Sequence, residues 1–116
     1  MYTVDNFING IANTVSDKSS LIIDPSYGKD IGKVLYATTD TADLAIESAK
    51  HAFKNWSLTG LSYRAELILK FRQAVIDRSN EIIDICITEA GKTRPDAEAE
   101  LDRAVQALTN ASAVQH

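Results

Sequence analysis

Ile85-Cys86-Ile87-Thr88-Glu89-Ala90-Gly91-Lys92-Thr93-Arg94-Pro95-Asp96 reads as the end of one helix, a tight turn and the start of another. Gly91 is the natural residue just past a helix C-terminus, because only glycine takes the left-handed backbone there without a Cβ penalty. Thr93 has the chemistry of an N-cap, and Asp96, three positions on, is the reciprocal half of a capping box. Pro95 falls in the first turn, where its missing N–H has no helical partner to lose. Helices therefore lie on both sides of this turn, and the rest of the chain is read outward from it.

Downstream, Ala97, Leu101, Val105 and Leu108 recur at helical spacing and predict a fourth helix from Arg94 that is still in phase at Ala111. Upstream, Ile82, Ile83, Ile85, Cys86 and Ile87 make the third helix, from about Glu81 to Ala90, almost wholly apolar, which predicts core. Ser79-Asn80 supplies the break before it. A second helix is predicted from about Gly60 to Arg78, capped by Thr59. Leu61, Ala65, Ile68, Phe71 and Val75 mark one face, and Leu67, Leu69 and Ile76 widen it until it needs covering on more than one side. The first helix starts at Thr38 or Thr39, with Asp40 and Asp43 favourable near the positive end of its dipole and Lys50 and Lys54 near the negative end. Ala42, Ala45, Ile46, Ala49 and Phe53 are its expected buried stripe, and Asn55-Trp56-Ser57 closes it.

Before Thr38 the period shortens. Asn6-Phe7-Ile8-Asn9-Gly10 sets a short apolar pair before Asn-Gly, the strongest local hairpin signal, with Ile11 to Val15 as the returning strand. Leu21-Ile22-Ile23 begins another extended run, which Asp24-Pro25-Ser26-Tyr27-Gly28 stops with turn chemistry. Ile31 to Tyr36 reads as a further short strand. The fold class is thus α+β, predominantly helical: short N-terminal strands with a hairpin (1–37), then four helices (38–116). Strands this short need a partner surface, so 1–116 reads as one incomplete domain.

The composition bounds the function. The 116 residues are 45% hydrophobic and 24% charged, with net charge −4, an ordinary globular balance with one core's worth of chain. Twelve Lys and Arg are scattered among sixteen Asp and Glu, which argues against a nucleic-acid partner. No apolar run approaches the roughly 20 residues that span a bilayer, so no membrane partner is expected. Met1-Tyr2-Thr3-Val4-Asp5 has no basic region ahead of an apolar run, so no signal peptide is expected. With a single cysteine, Cys86, excluding an internal disulfide framework, the expected compartment is the cytoplasm.

Candidate chemistry is sparse. Cys86, the only thiol, lies between Ile85 and Ile87 on an apolar helix and reads as a packed small hydrophobe rather than a nucleophile. His51 and His116 are far apart, and neither has a second ligand at metal spacing. Asp96, Glu98, Glu100 and Asp102 form a dense acidic run, but only Asp96/Glu100 and Glu98/Asp102 share a face, and complementing a helix N-terminus accounts for most of it. Gly28 and Gly32 lack both the spacing and the following helix of a dinucleotide loop. From the residues alone, catalytic, cofactor-binding and metal sites are all expected to be absent. The over-wide apolar surface of the second and third helices points to self-association.

The landmarks, read in order, resemble the opening of the aldehyde dehydrogenases. They are Phe7-Ile8-Asn9-Gly10; Asp24-Pro25-Ser26-Tyr27-Gly28-Lys29 with Ile31-Gly32-Lys33-Val34; Ala37-Thr38; Ala52-Phe53-Lys54-Asn55-Trp56-Ser57; Arg64-Ala65 with Ile68-Leu69; and Glu89-Ala90-Gly91-Lys92. Asp24 stands where the family usually has Asn, and Ser26 where it has Ala. Phe71-Arg72, the run from Gly91 to Ala97 and Ala113-Val114-Gln115-His116 are similar to methylmalonate-semialdehyde dehydrogenases, with succinate-semialdehyde and other semialdehyde enzymes still open. The resemblance implies an N-terminal segment of an NAD- or NADP-dependent enzyme whose cysteine thiolate attacks an aldehyde. A thioester then passes to water or coenzyme A. It also implies that the helices belong to an α/β cofactor-binding domain. The family's cysteine, glutamate, asparagine and cofactor loops all fall beyond the matched region, so none maps onto a residue here, Cys86 included. No bound cofactor and no turnover are expected of this chain alone, the alternative being a non-enzymatic helical assembly module.

Overall fold

The structure is a computed structural model that describes residues 1–12 and 16–113. The returning strand expected through Val15 therefore lies partly outside the described residues, as do Val114, Gln115 and His116. Contacts cluster into two compact units, Met1–Leu58 and Thr59–His116, each described by itself.

In the first unit, β2 (Phe7–Ile8) and β3 (Ile11–Ala12) pair antiparallel. Asn9 and Gly10 join them at φ +53 and +79, the doubly left-handed turn that matches the twist of paired strands. β4 (Ser19–Asp24) and β5 (Lys29–Leu35) form a second antiparallel pair. Its turn is built by Asp24, whose carboxylate accepts from the Ser26 N–H at 2.8 Å and whose carbonyl accepts from the Gly28 N–H at 2.8 Å. Gly28 completes the turn at φ +64. Ile22 faces Gly32 and Ile23 faces Asp30, so Ile31 is the extra residue of a bulge.

One strand escapes sequence reading. β1 (Tyr2–Val4) pairs in parallel with β5, giving the order β1-β5-β4. Three residues carry too little alternation to announce a strand, and the partner lies some thirty positions away. Gly32 marks the contact, since a Cβ there would meet the Tyr2 carbonyl oxygen at 2.9 Å and the Tyr2 ring at 3.0 Å.

α1 (Thr39–Trp56) begins at Thr38, whose hydroxyl accepts from the Thr41 N–H at 3.2 Å. Its stripe departs from expectation. No residue of α1 is buried, Ile46 and Phe53 are 53% and 61% exposed, and of the five expected positions only Ala45 is half-buried. The hairpin β2–β3 is too small to cover a helix of five turns, and it meets the neighbouring line of Leu44, Ser48, His51 and Ala52 instead.

The second unit is three helices: α2 (Leu61–Asp77), α3 (Ser79–Ala90) and α4 (Arg94–Ser112). α4 lies along α2 and against α3, and the Arg72 Nε–H donates to Thr109 Oγ1 at 2.8 Å across the first of these contacts. The core is Ala65, Ile83 and Ala97, one residue from each helix. Two small residues around one isoleucine let the helix axes approach closely. Three sequence expectations shift. Gly60, not Thr59, occupies the N-cap of α2, without a side-chain bond. The break between α2 and α3 is the single residue Arg78, at φ −108 and ψ 20, rather than Ser79-Asn80. Of the apolar run in α3 only Ile83 is buried, while Ile85 is 48% exposed.

Candidate functional site

The turn between α3 and α4 is the most tightly specified local structure in the chain. Gly91 stands at φ +63 and ψ 27 and donates its N–H to the Ile87 carbonyl at 2.9 Å, ending α3. Thr93 Oγ1 accepts from the Asp96 N–H at 3.3 Å, starting α4, with Pro95 in its first turn. The reciprocal half of the box differs from expectation: the Asp96 carboxylate accepts the Thr93 hydroxyl proton at 2.7 Å. Arg94 would oppose the positive end of the α4 dipole, and its charge is met by Asp84 of α3 at 2.5 Å. Lys92 reaches Glu100 at 2.6 Å. Every polar group named here is occupied in closing the turn.

The residues singled out for chemistry stay apart. Cys86 is a half-buried free thiol on α3. His51 is exposed on α1, beside a concavity of about 370 Å³ that it shares with Ile8, Asn9, Ile11, Leu44, Ser48 and Ala52. His116 is outside the described residues. In the acidic run, Asp96 serves the cap and Glu100 the ion pair with Lys92, while Glu98 and Asp102 are exposed. Among the described residues, no three His, Cys, Asp or Glu side chains converge on one point. None of the described helices is long and apolar enough to cross a membrane.

The sequence reading missed one feature. Phe71, Ala74, Val75 and Arg78 on one side, and Arg78, Glu81, Ile82 and Ile85 on the other, line a second concavity of about 370 Å³ at the α2–α3 junction. Each set has the spacing 0, 3, 4, 7 of a single helical face. Glu81 accepts two hydrogen bonds from Arg78, at 2.9 and 2.7 Å. The hydrogen bonding first, and the opposite charge second, raise the Arg78 pKa above its ordinary value. The charged end of the groove is thus internally neutralised, and its walls are apolar. Phe71 and Val75 belong to the face of α2 that sequence periodicity marks as its main apolar face, and Leu67, Leu69 and Ile76, which widen that face, do not line the groove.

Residues 12–116 match the aldehyde dehydrogenase family. The chain belongs to that family. It is 32% identical to malonate-semialdehyde dehydrogenase 1 of Bacillus licheniformis, over 93% of this chain and 22% of that protein. It is 35% identical to the human methylmalonate-semialdehyde/malonate-semialdehyde dehydrogenase [acylating], mitochondrial, over 97% of this chain and 21% of that protein. A Sinorhizobium meliloti structure described as a methylmalonate-semialdehyde dehydrogenase complexed with NAD superposes with a TM-score of 0.95 at 32% identity, over all of this chain and 24% of that one. The chain therefore spans about a fifth to a quarter of the length of the relatives it matches. Both the short strands followed by four helices and the aldehyde dehydrogenase likeness expected from sequence are confirmed.

NAD is the cofactor of that solved relative, and the residues present here do not fit it. Gly10 and Gly28 complete turns between paired strands, and Gly91 ends a helix. Gly32 lies within β5 and Gly60 opens α2 from a loop, so none of the five glycines opens a helix directly at the end of a strand, which is where backbone N–H groups and the helix dipole hold a pyrophosphate. Among the described residues, the lining of the concavity beside His51 holds no Lys or Arg.

Proposed function

We propose that this chain is the N-terminal part of an NAD(P)-dependent semialdehyde dehydrogenase and that by itself it turns over no aldehyde. The observation that carries the reading is the likeness at 32–35% identity, over more than nine-tenths of the chain, to proteins named malonate- and methylmalonate-semialdehyde dehydrogenases. Malonate and methylmalonate semialdehydes are accordingly the first substrates to try. The name of the human relative makes coenzyme A the acyl acceptor to include. Inactivity of the isolated chain follows from chemistry. Oxidising an aldehyde through a thioester needs an activated thiolate and a hydride acceptor held against it. Cys86 sits between isoleucines on α3, and within five positions it has carboxylates but no Lys, Arg or His to favour the thiolate. A cytoplasmic location is part of the same proposal, resting on the single cysteine of this segment, which fits a reducing compartment.

The test is NADH formation by the purified chain with both semialdehydes, with and without coenzyme A, and with NADP in place of NAD. No turnover is expected; a rate proportional to chain concentration overturns the inactivity. A reading frame that continues past the His116 codon into a cysteine-bearing catalytic segment supports the parent enzyme, and a stop there removes it.

A second reading, a helical module that self-associates, is favoured by the bare apolar groove between α2 and α3. Sedimentation of the chain decides it: a discrete dimer or tetramer supports this reading, and a monomer at all concentrations removes it.

A further inference from the structure

Gly10 is the only one of the five glycines that follows an asparagine or an aspartate. A bond from the Gly10 nitrogen to Asn9 Cγ closes a five-membered ring, and glycine brings no Cβ to crowd that approach. The space is open as well: a Cβ at Gly10 would meet nothing within 4 Å, and Asn9 and Gly10 are both exposed to water. Asn9 stands at φ +53, the one non-glycine at positive φ among the described residues, a conformation its own Cβ disfavours. In a two-residue loop the inter-strand bonds belong to the flanking pair, here Ile8 and Ile11, so no ladder bond ties down the Gly10 N–H. Ring closure needs Asn9 to rotate out of its left-handed backbone, which means opening the hairpin. That hairpin is two residue pairs long, Phe7 opposite Ala12 and Ile8 opposite Ile11, and so short a ladder opens readily. The other described asparagines differ. Asn55, Asn80 and Asn110 lie within helices, and Trp56, Glu81 and Ala111 after them each set a Cβ beside the attacking nitrogen. Asn6 is followed by the bulky Phe7.

We propose that Asn9 is a self-modification site, where the chain deamidates through a cyclic imide and the product cannot keep the β2–β3 register. Hydroxide takes the proton of the Gly10 N–H, and the nitrogen bonds to Asn9 Cγ. The Cγ–Nδ2 bond breaks, and ammonia leaves with a proton returned from water. A second water then opens the ring at either carbonyl. Opening at the former side-chain carbonyl gives an ordinary main chain with a carboxylate side chain. Opening at the former main-chain carbonyl routes the backbone through the side chain, an isoaspartyl link with one extra methylene. That methylene lengthens a loop whose two residues fit the strand twist only when both are left-handed, so Phe7 and Ala12 cease to face each other. The new carboxylate also enters a lining shared with Ser48 and His51. The inference is independent of the dehydrogenase reading.

The experiment holds the 116-residue chain in mildly alkaline buffer at physiological temperature, native and in urea, and follows each asparagine by peptide mass spectrometry. Isoaspartyl groups are counted with a carboxyl methyltransferase specific for them. The expected result is amide loss led by Asn9, in proportion to hydroxide, with isoaspartyl among the products and a native rate within several-fold of the rate in urea. Asn9→Gln is expected to abolish the signal, because its ring would have six members. By NMR the cross-strand α-proton contact between Phe7 and Ala12 is expected to vanish from the isoaspartyl fraction alone. A native chain that stays intact while the urea-unfolded chain converts overturns the proposal, since the turn then protects Asn9. Conversion led by another asparagine, a signal that survives Asn9→Gln, or a product free of isoaspartyl each overturns it too. An isoaspartyl fraction that keeps the Phe7–Ala12 contact overturns the loss of register.

Discussion

The second unit joins its three helices in two different ways. Between α3 and α4, Gly91 in the left-handed conformation stops one helix, Thr93 caps the next, and Arg94–Asp84 and Lys92–Glu100 tie the flanks together. Between α2 and α3 there is one residue, Arg78, with no side-chain cap on either side. Its N–H donates to the Ala74 carbonyl at 3.3 Å and its carbonyl accepts from the Ile82 N–H at 3.1 Å, so one residue closes a helix and opens another. The first junction is specified by the chemistry of its own residues. The second is specified by what α2 and α3 pack against, and it is the one that carries the apolar groove. Local chemistry and tertiary packing are thus alternative ways to place a helix end, and they fail differently when altered.

The largest expected effect removes the packing that positions α3. Ile83 of α3 is 6% exposed and, with Ala65 of α2 and Ala97 of α4, makes up the buried core of the unit. Ile83→Ala is expected to cost about 2–3 kcal/mol by urea unfolding, the low end of the range for buried isoleucine because few large neighbours surround it. An unchanged midpoint would show that α3 is held from its ends. Next comes Gly91→Ala, which forces a Cβ into a left-handed backbone and is expected to cost about 1–2 kcal/mol. A neutral result would mean that the turn relaxes to another geometry, and the contrast between the two junctions would weaken.

The same contrast governs what could be read in advance. Gly91, Thr93, Pro95, Asn9-Gly10 and Asp24–Gly28 each have a backbone reason confined to a few residues, so their turns are legible from sequence. Ser79-Asn80 looks like a break by composition, yet both residues are helical, because the register of α3 is fixed by burying Ile83. The α1 stripe fails for a related reason. Periodicity shows that Ile46 and Phe53 share a face with the alanines but not whether the unit holds anything large enough to cover it. β1 is invisible because a parallel pairing depends on a distant strand, with Gly32 the sole local trace. The end of α3 at Gly91 was legible residue by residue. The groove was not, because its two faces belong to different helices and meet only in the fold.

Thr93→Ala sharpens the comparison further. It removes the acceptor for the Asp96 N–H and the donor to the Asp96 carboxylate together, and a loss of about 0.5–1 kcal/mol is expected, as for an exposed helix cap. Thr93→Ser, which keeps the hydroxyl, is expected to recover most of it. If Ser fails to rescue, the threonine methyl rather than the cap bond holds the turn.

The smallest effect is expected at the other junction. Arg78→Ala deletes a doubly hydrogen-bonded pair with Glu81, yet both side chains are more than half exposed. Water solvates each partner almost as well when alone, and holding the pair costs side-chain entropy. The backbone bonds that close α2 and open α3 belong to the main chain and survive the substitution. The unfolding midpoint is therefore expected to stay within experimental error and to be insensitive to added salt. A loss as large as that from Thr93→Ala would mean that the Arg78–Glu81 pair fixes the α2–α3 junction as a cap would, and that both junctions rest on local chemistry after all.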